Sequence, residues 1–122
     1  MSKGAVIMIV DALDRLLLLK RHPISIWMPE KWGLPGGRVE PEEVPESAAI
    51  RETREETTLE VANLVKAKEV ETADIFYTRD YTGTVKLDHE HTDWVWVRWE
   101  SIGEYDVVPG VVDLFEELIG VY

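Results

Sequence analysis

Gly37–Leu59 reads GRVEPEEVPESAAIRETREETTL, and the remainder of the chain is organised around this segment. Between Pro45 and about Thr58 there is no glycine, and Pro45 suits the first helical turn, where its missing N–H has no intrahelical partner. The spacing predicts a helix over residues 45–58 whose N-cap falls near Val44, a residue with no side-chain oxygen for the free N–H groups. Glu52, Glu55 and Glu56 stand at i, i+3 and i+4, so the helix places three carboxylates on one face. Each such like-charge pair destabilises an isolated helix by roughly 0.2–0.5 kcal/mol. A bound divalent cation reverses that sign. Ala48 and Ala49, one turn earlier on the same face, leave room for a loop or sheet to come close. The guanidinium fork of Arg51 can pin a carboxylate, with Glu43 as the candidate. Taken alone, the acidic face is more often the pattern of a solvated helix surface.

Strands and loops surround this helix. Gly4–Val10 and Arg15–Lys20 are rich in Val, Ile and Leu and flank the turn-like Asp11–Asp14, which predicts a hairpin of two buried strands. Arg21–Gly37 carries three prolines, two tryptophans and a Gly-Gly pair, the composition of a shaped loop around a short strand. Leu59–Ala73, Ile75–Leu87 with a turn at Tyr81–Thr84, and Thr92–Trp99 read as strands expected to join one sheet. Pro109–Val121 spaces Val111, Val112, Leu114, Phe115, Leu118 and Ile119 helically and is expected to close at Gly120. With no repeat or linker-like tract, residues 1–122 are expected to form one domain.

Composition narrows the function classes. A hydrophobic content of 45% suffices for one packed core, and the absence of cysteine excludes disulfides, thiol nucleophiles and thiolate zinc sites. Met1–Val10 lacks the length and cleavage region of a signal peptide, and no apolar run approaches the roughly 20 residues of a membrane span. A cytoplasmic protein with no membrane partner is the expectation. A net charge of −11 repels polyanions, so no nucleic-acid polymer is expected as partner. A small phosphorylated substrate stays open, because divalent cations bridge carboxylates to phosphates.

Gly37, Glu43, Arg51, Glu52, Glu55 and Glu56 together resemble the Nudix box, in which Gly, Glu, Arg-Glu and Glu-Glu recur at this spacing. Trp32–Gly37 is similar to that family's approach to its box. Thr53 departs from the pattern at a hydrophobic position, which predicts weaker helix packing. Thr58 departs at the closing glycine, whose left-handed backbone threonine adopts poorly. The resemblance implies a Nudix-type α/β/α sandwich, an α/β fold with a mixed β-sheet between helices. It also implies an enzyme that uses Mg²⁺, with Mn²⁺ as the alternative, to hydrolyse a phosphoanhydride bond in a nucleotide derivative. Glu52, Glu55 and Glu56 would bind the metal, the Gly37 carbonyl would complete its coordination, and Glu43 with Arg51 would orient the set.

The general base is expected at Glu56 or at Glu90, which lies in Asp88–Asp93 ahead of the last strand, with Asp93 as competitor. His89 and His91 are expected to be solvent-exposed rather than metal ligands. Trp27, Trp32, Tyr77 and Arg38 are the candidates for substrate binding, with Tyr81 as a further stacking surface. Tyr77 stands at a distance from the box associated with dinucleoside polyphosphate hydrolases, whereas Trp32–Gly37 looks more like the nucleoside triphosphate pyrophosphatases. A nucleoside or deoxynucleoside triphosphate giving the monophosphate is the favoured substrate. Dinucleoside polyphosphates, ADP-ribose and nucleotide sugars are alternatives, as is a non-catalytic nucleotide-sensing module. The resemblance also makes a homodimer an open expectation.

Overall fold

β1 (Gly4–Ile9) and β2 (Leu16–Arg21) are apolar at successive positions, so each must be covered on both faces. The computed structural model of the chain, which describes residues 3–119, shows how. Ala5, Ile7 and Ile9 with Leu17 and Leu19 enter one buried cluster, together with Ala48 and Ala49 of α1 (Pro45–Thr57). Met8, Val10, Leu16 and Leu18 enter a second cluster with Val111 and Phe115 of α2 (Val111–Ile119). The strands thus lie between two helical layers, the expected α/β/α arrangement.

β3 (Trp32–Gly33), β4 (Gly36–Arg38), β5 (Glu60–Ala62), β6 (Val65–Val70), β7 (Ala73–Thr78), β8 (Asp80–Thr82) and β9 (His91–Val97) complete the strands. A 3₁₀ helix at Trp99–Glu104 precedes α2. The expected single sheet is instead three: a four-stranded β4-β1-β7-β6, a three-stranded β3-β2-β9 and a two-stranded β5-β8. β1 runs parallel to β7 and antiparallel to β4, so the largest sheet is mixed.

The expected hairpin is also corrected. The turn forms, with the Asp11 N–H donating to the Arg15 carbonyl at 3.0 Å, but pairing between the strands stops at a single bridge, Val10 to Leu16. Each strand is apolar on both faces and becomes the interior strand of its own sheet, hydrogen-bonded along both edges. A tight hairpin would have consumed one edge of each. The closing glycine expected for α2, Gly120, lies outside the described residues. Among the described residues no helix is long and apolar enough to cross a membrane.

Candidate active site

α1 begins as expected, with Val44 extended at its N-cap and no side-chain cap. At the other end Thr58 adopts the left-handed backbone, φ 65° and ψ 2°, despite its Cβ. Its N–H donates to the Arg54 carbonyl at 2.9 Å and its hydroxyl to the Thr84 carbonyl at 2.8 Å, which hold the strained exit in place. Thr53, at the position where a large apolar residue was expected, is fully buried, and its hydroxyl has no hydrogen-bond partner.

Arg51 is the hub of the helix face. Its Nε and Nη2 donate to the two oxygens of Glu43 at 2.8 and 3.0 Å, and Nη1 donates to Glu52 Oε1 at 2.8 Å. Nη2 also donates to the Arg38 carbonyl at 3.1 Å, and Nη1 reaches Glu55 at 3.3 Å. Donation from Arg51 and from the Glu40 N–H holds the Glu43 carboxyl down to about 2. With Glu40 at 3.8 Å, the charge of Arg51 is spread over four carboxylates and one backbone carbonyl.

β4 supplies the opposite wall. Gly36 has φ +144° and presses against the backbone of β1, where a side chain would collide with Ala5 and Val6. Its N–H donates to Glu56 Oε1 at 2.9 Å. At Gly37 a Cβ would stand 2.5 Å from Glu52 Cδ, so any larger residue would displace that carboxylate from its place against the strand backbone. Glu56 is 6% exposed. Burial pushes its carboxyl well above the usual range, against the Gly36 N–H, and the nearby charges of Glu52, Asp88 and Glu90 push the same way. Burial likewise raises Glu52, although Arg51 opposes it. Glu55 lies at the outer edge with its side chain 57% exposed.

The loop before β9 closes the site. The Asp88 N–H donates to the Glu56 carbonyl at 3.1 Å, and Asp88 Oδ1 pairs with His91 Nδ1 at 2.9 Å. Ligand atoms of Glu56, Asp88 and His91 lie within 4.8 Å of one another. From sequence, His91 is expected to be an exposed histidine and no metal ligand, and Asp88 figures only as part of the acidic segment Asp88–Asp93. The expectation of exposed histidines holds for His89 and is corrected for His91, which is 8% exposed. Its imidazole is buried because Asp88 satisfies Nδ1 at the start of a strand. Glu90 is exposed, near enough to raise both Glu52 and Glu56 electrostatically, and Asp93 caps the Trp94 N–H at 2.8 Å.

Gly36, Gly37 and His91 also line a cavity of about 580 Å³, walled by Val6, Leu19, Gly33, Leu34, Ile75, Val108, Val111 and Leu114. Trp27 stands at its edge, 54% exposed, with the Arg21 guanidinium 5.1 Å from its ring centroid. The other substrate candidates are placed elsewhere. Trp32 packs edge-on against Tyr105 at 5.2 Å, and Tyr77 lines a separate depression where its hydroxyl accepts from Arg79. Arg38 is exposed on β4, and Tyr81 stacks on Trp96.

The grouped donors Glu56, Asp88 and His91 could hold a divalent cation, and burial makes the charged forms of Glu52 and Glu56 costly until a cation compensates them.

The NUDIX domain family model matches residues 1–118. The CTP pyrophosphohydrolase of Escherichia coli (strain K12) is 31% identical over 111 residues, which cover 84% of this chain and 82% of that protein. The MutT protein from Methanosarcina mazei Go1 superposes with a TM-score of 0.78 at 29% identity, over 98% of this chain and 93% of that one. The MutT NUDIX hydrolase from Burkholderia pseudomallei does so with a TM-score of 0.80 at 22% identity, over 96% and 97%.

Proposed function

This chain belongs to the Nudix family of pyrophosphohydrolases acting on nucleotide derivatives, and from that premise we propose that it hydrolyses a nucleoside or deoxynucleoside triphosphate to the monophosphate with Mg²⁺. The observation that carries the reading is the juxtaposition of the buried Glu56 with Gly36 and Gly37 at the wall of an apolar cavity large enough for a nucleoside. Nucleosides present a flat apolar body and a charged tail, and the site offers a matching apolar chamber beside a cluster of carboxylates.

Glu52, Glu55 and Glu56 would hold Mg²⁺ or Mn²⁺, with the Gly37 carbonyl beside them. When bound, the ion neutralises phosphate charge and lowers the pKa of water. Arg51 keeps Glu52 and Glu55 on one side of the helix, and Glu43 fixes Arg51 from behind. Glu56 is the first candidate for the base that takes a proton from the attacking water, and Glu90 in the adjoining loop is the second. Trp27 at the cavity edge supplies a stacking face for the base. The relative named as a CTP pyrophosphohydrolase supports a triphosphate substrate.

The test is a panel of nucleotides incubated with Mg²⁺, with products identified and the reaction repeated on Glu56→Gln. Nucleoside monophosphate and pyrophosphate are the expected products, with a rate loss of roughly 10²–10⁴-fold in the variant. Nucleotide binding without any product in the wild type would refute the hydrolase reading.

A further inference from the structure

His91 is a buried side chain whose hydrogen bonding is half complete. Its side chain is 4% exposed, and Nδ1 pairs with Asp88 Oδ1 at 2.9 Å. Among the described residues nothing hydrogen-bonds to Nε2. This nitrogen is not sealed in the core, where Thr53 Oγ1 alone among the described side chains is both enclosed and unpartnered. The open space that His91 borders is the cavity of about 580 Å³. Among the side chains lining that cavity only Arg21, Trp27, Thr72 and His91 carry polar atoms. Nε2 is therefore an unpartnered polar atom on the wall of a mostly apolar chamber.

The Asp88 carboxylate only accepts, so it fixes the ring hydrogen on Nδ1 and leaves Nε2 as an acceptor. An acceptor repels phosphate oxygens and calls for a hydroxyl or amino hydrogen. The order of residues along the site indicates which part of a nucleotide supplies it. Ligand atoms of Glu56, Asp88 and His91 lie within 4.8 Å of one another, which sets His91 at the carboxylate end of the cavity. Through the backbone His91 is the register partner of Arg21 across β9 and β2. Arg21 Nε donates to the Trp27 carbonyl at 2.7 Å, Nη2 donates to Ser25 Oγ at 2.7 Å, and the guanidinium lies over the Trp27 ring. Carboxylates, His91 and Trp27 thus follow one another in the order of phosphate, sugar and base.

We propose that His91 Nε2 accepts a hydrogen bond from a sugar hydroxyl of the bound nucleotide, which makes His91 a specificity-determining residue for hydroxyl-bearing nucleosides. The inference rests on the hydrolase reading for the placement of the phosphates. The contact itself rests on the Asp88 tie and the open Nε2. The Nδ1 edge is the one that faces Asp88, so a cation among the carboxylates and a sugar in the cavity would address different edges of the ring.

His91→Asn keeps an N–H near the place of Nδ1 and removes the acceptor, whereas His91→Gln keeps a polar atom near the place of Nε2. Steady-state kinetics with Mg²⁺ compare ATP and CTP with their 2′-deoxy, 3′-deoxy and 2′,3′-dideoxy forms. In the wild type, loss of the contacted hydroxyl should raise KM roughly threefold to tenfold. His91→Asn should abolish that difference by raising KM for the hydroxyl-bearing forms only, and His91→Gln should restore part of it. A wild-type KM indifferent to both hydroxyls, or an equal loss on every form in His91→Asn, overturns the contact.

Long-range ¹H–¹⁵N spectra give an arm that needs no turnover. Adenosine and cytidine should move the His91 Nε2 resonance from that of a bare acceptor toward that of a hydrogen-bonded one, and their 2′,3′-dideoxy forms should not. A hydrogen on Nε2 in the free neutral ring, or no shift with either nucleoside, overturns the proposal. A shift in a protein that turns over no nucleotide removes the hydrolase reading and leaves the contact standing. Turnover without any shift does the reverse.

Discussion

Thr53 carries a buried hydroxyl without a partner, at the one position of the helix where the resembled motif expects a large apolar side chain. A buried unsatisfied polar group costs about 1–3 kcal/mol, and valine has the same shape without the hydroxyl. Thr53→Val should therefore raise the Tm by a few degrees, read by thermal unfolding without added metal, and leave the ligands in place. Thr58 makes the opposite case: its left-handed backbone is compensated by two hydrogen bonds, so the departure from glycine costs the helix exit its ease but not its geometry. Arg51, Glu52, Glu55 and Glu56 on one helix, with Glu43 just ahead of it, are legible as a set because their spacing within one segment is a local property. Asp88 and His91 are not, because their meeting with Glu56 depends on where a loop lies.

The turn between β1 and β2 shows how an element can form while its expected pairing does not. Asp11 Oδ1 accepts from the Leu13 and Arg15 N–H groups at 3.0 and 2.9 Å, and Oδ2 accepts from Arg15 Nε at 2.7 Å. Burial pushes the Asp11 carboxyl up, but these donors outweigh it and hold it below its ordinary value of 3.8. The folded form therefore binds its proton less readily than the unfolded one. The stability it contributes is present above the unfolded value and is lost as pH falls through the folded one. The difference in urea midpoint between wild type and Asp11→Asn should shrink as pH falls below about 4. A constant difference down to pH 2 would remove the carboxylate from this role. The apolar runs are the same for a paired hairpin and for two interior strands, so the sequence alone does not separate the two. Only the partners at their outer edges distinguish the two.

The whole molecule carries a net charge of −11, and part of that charge is concentrated where burial makes it costly. A divalent cation that binds only the folded protein should stabilise it by mass action, about 2.7 kcal/mol at a concentration a hundred times its Kd. Thermal unfolding with increasing Mg²⁺ should show a rising Tm, and the rise should be much smaller in Glu56→Gln. An equal rise in both proteins would place the ion elsewhere on the acidic surface. By itself the sequence determined the helix, its carboxylate face, the apolar character of the interior strands and the family, since each depends on spacing within a segment. The tertiary structure alone decided that β1 and β2 part into separate sheets, that Asp88 and His91 close on Glu56, and that Trp27 rather than Trp32 or Tyr77 borders the cavity. Those outcomes depend on which distant backbones pack together, and many packings are compatible with the same local pattern.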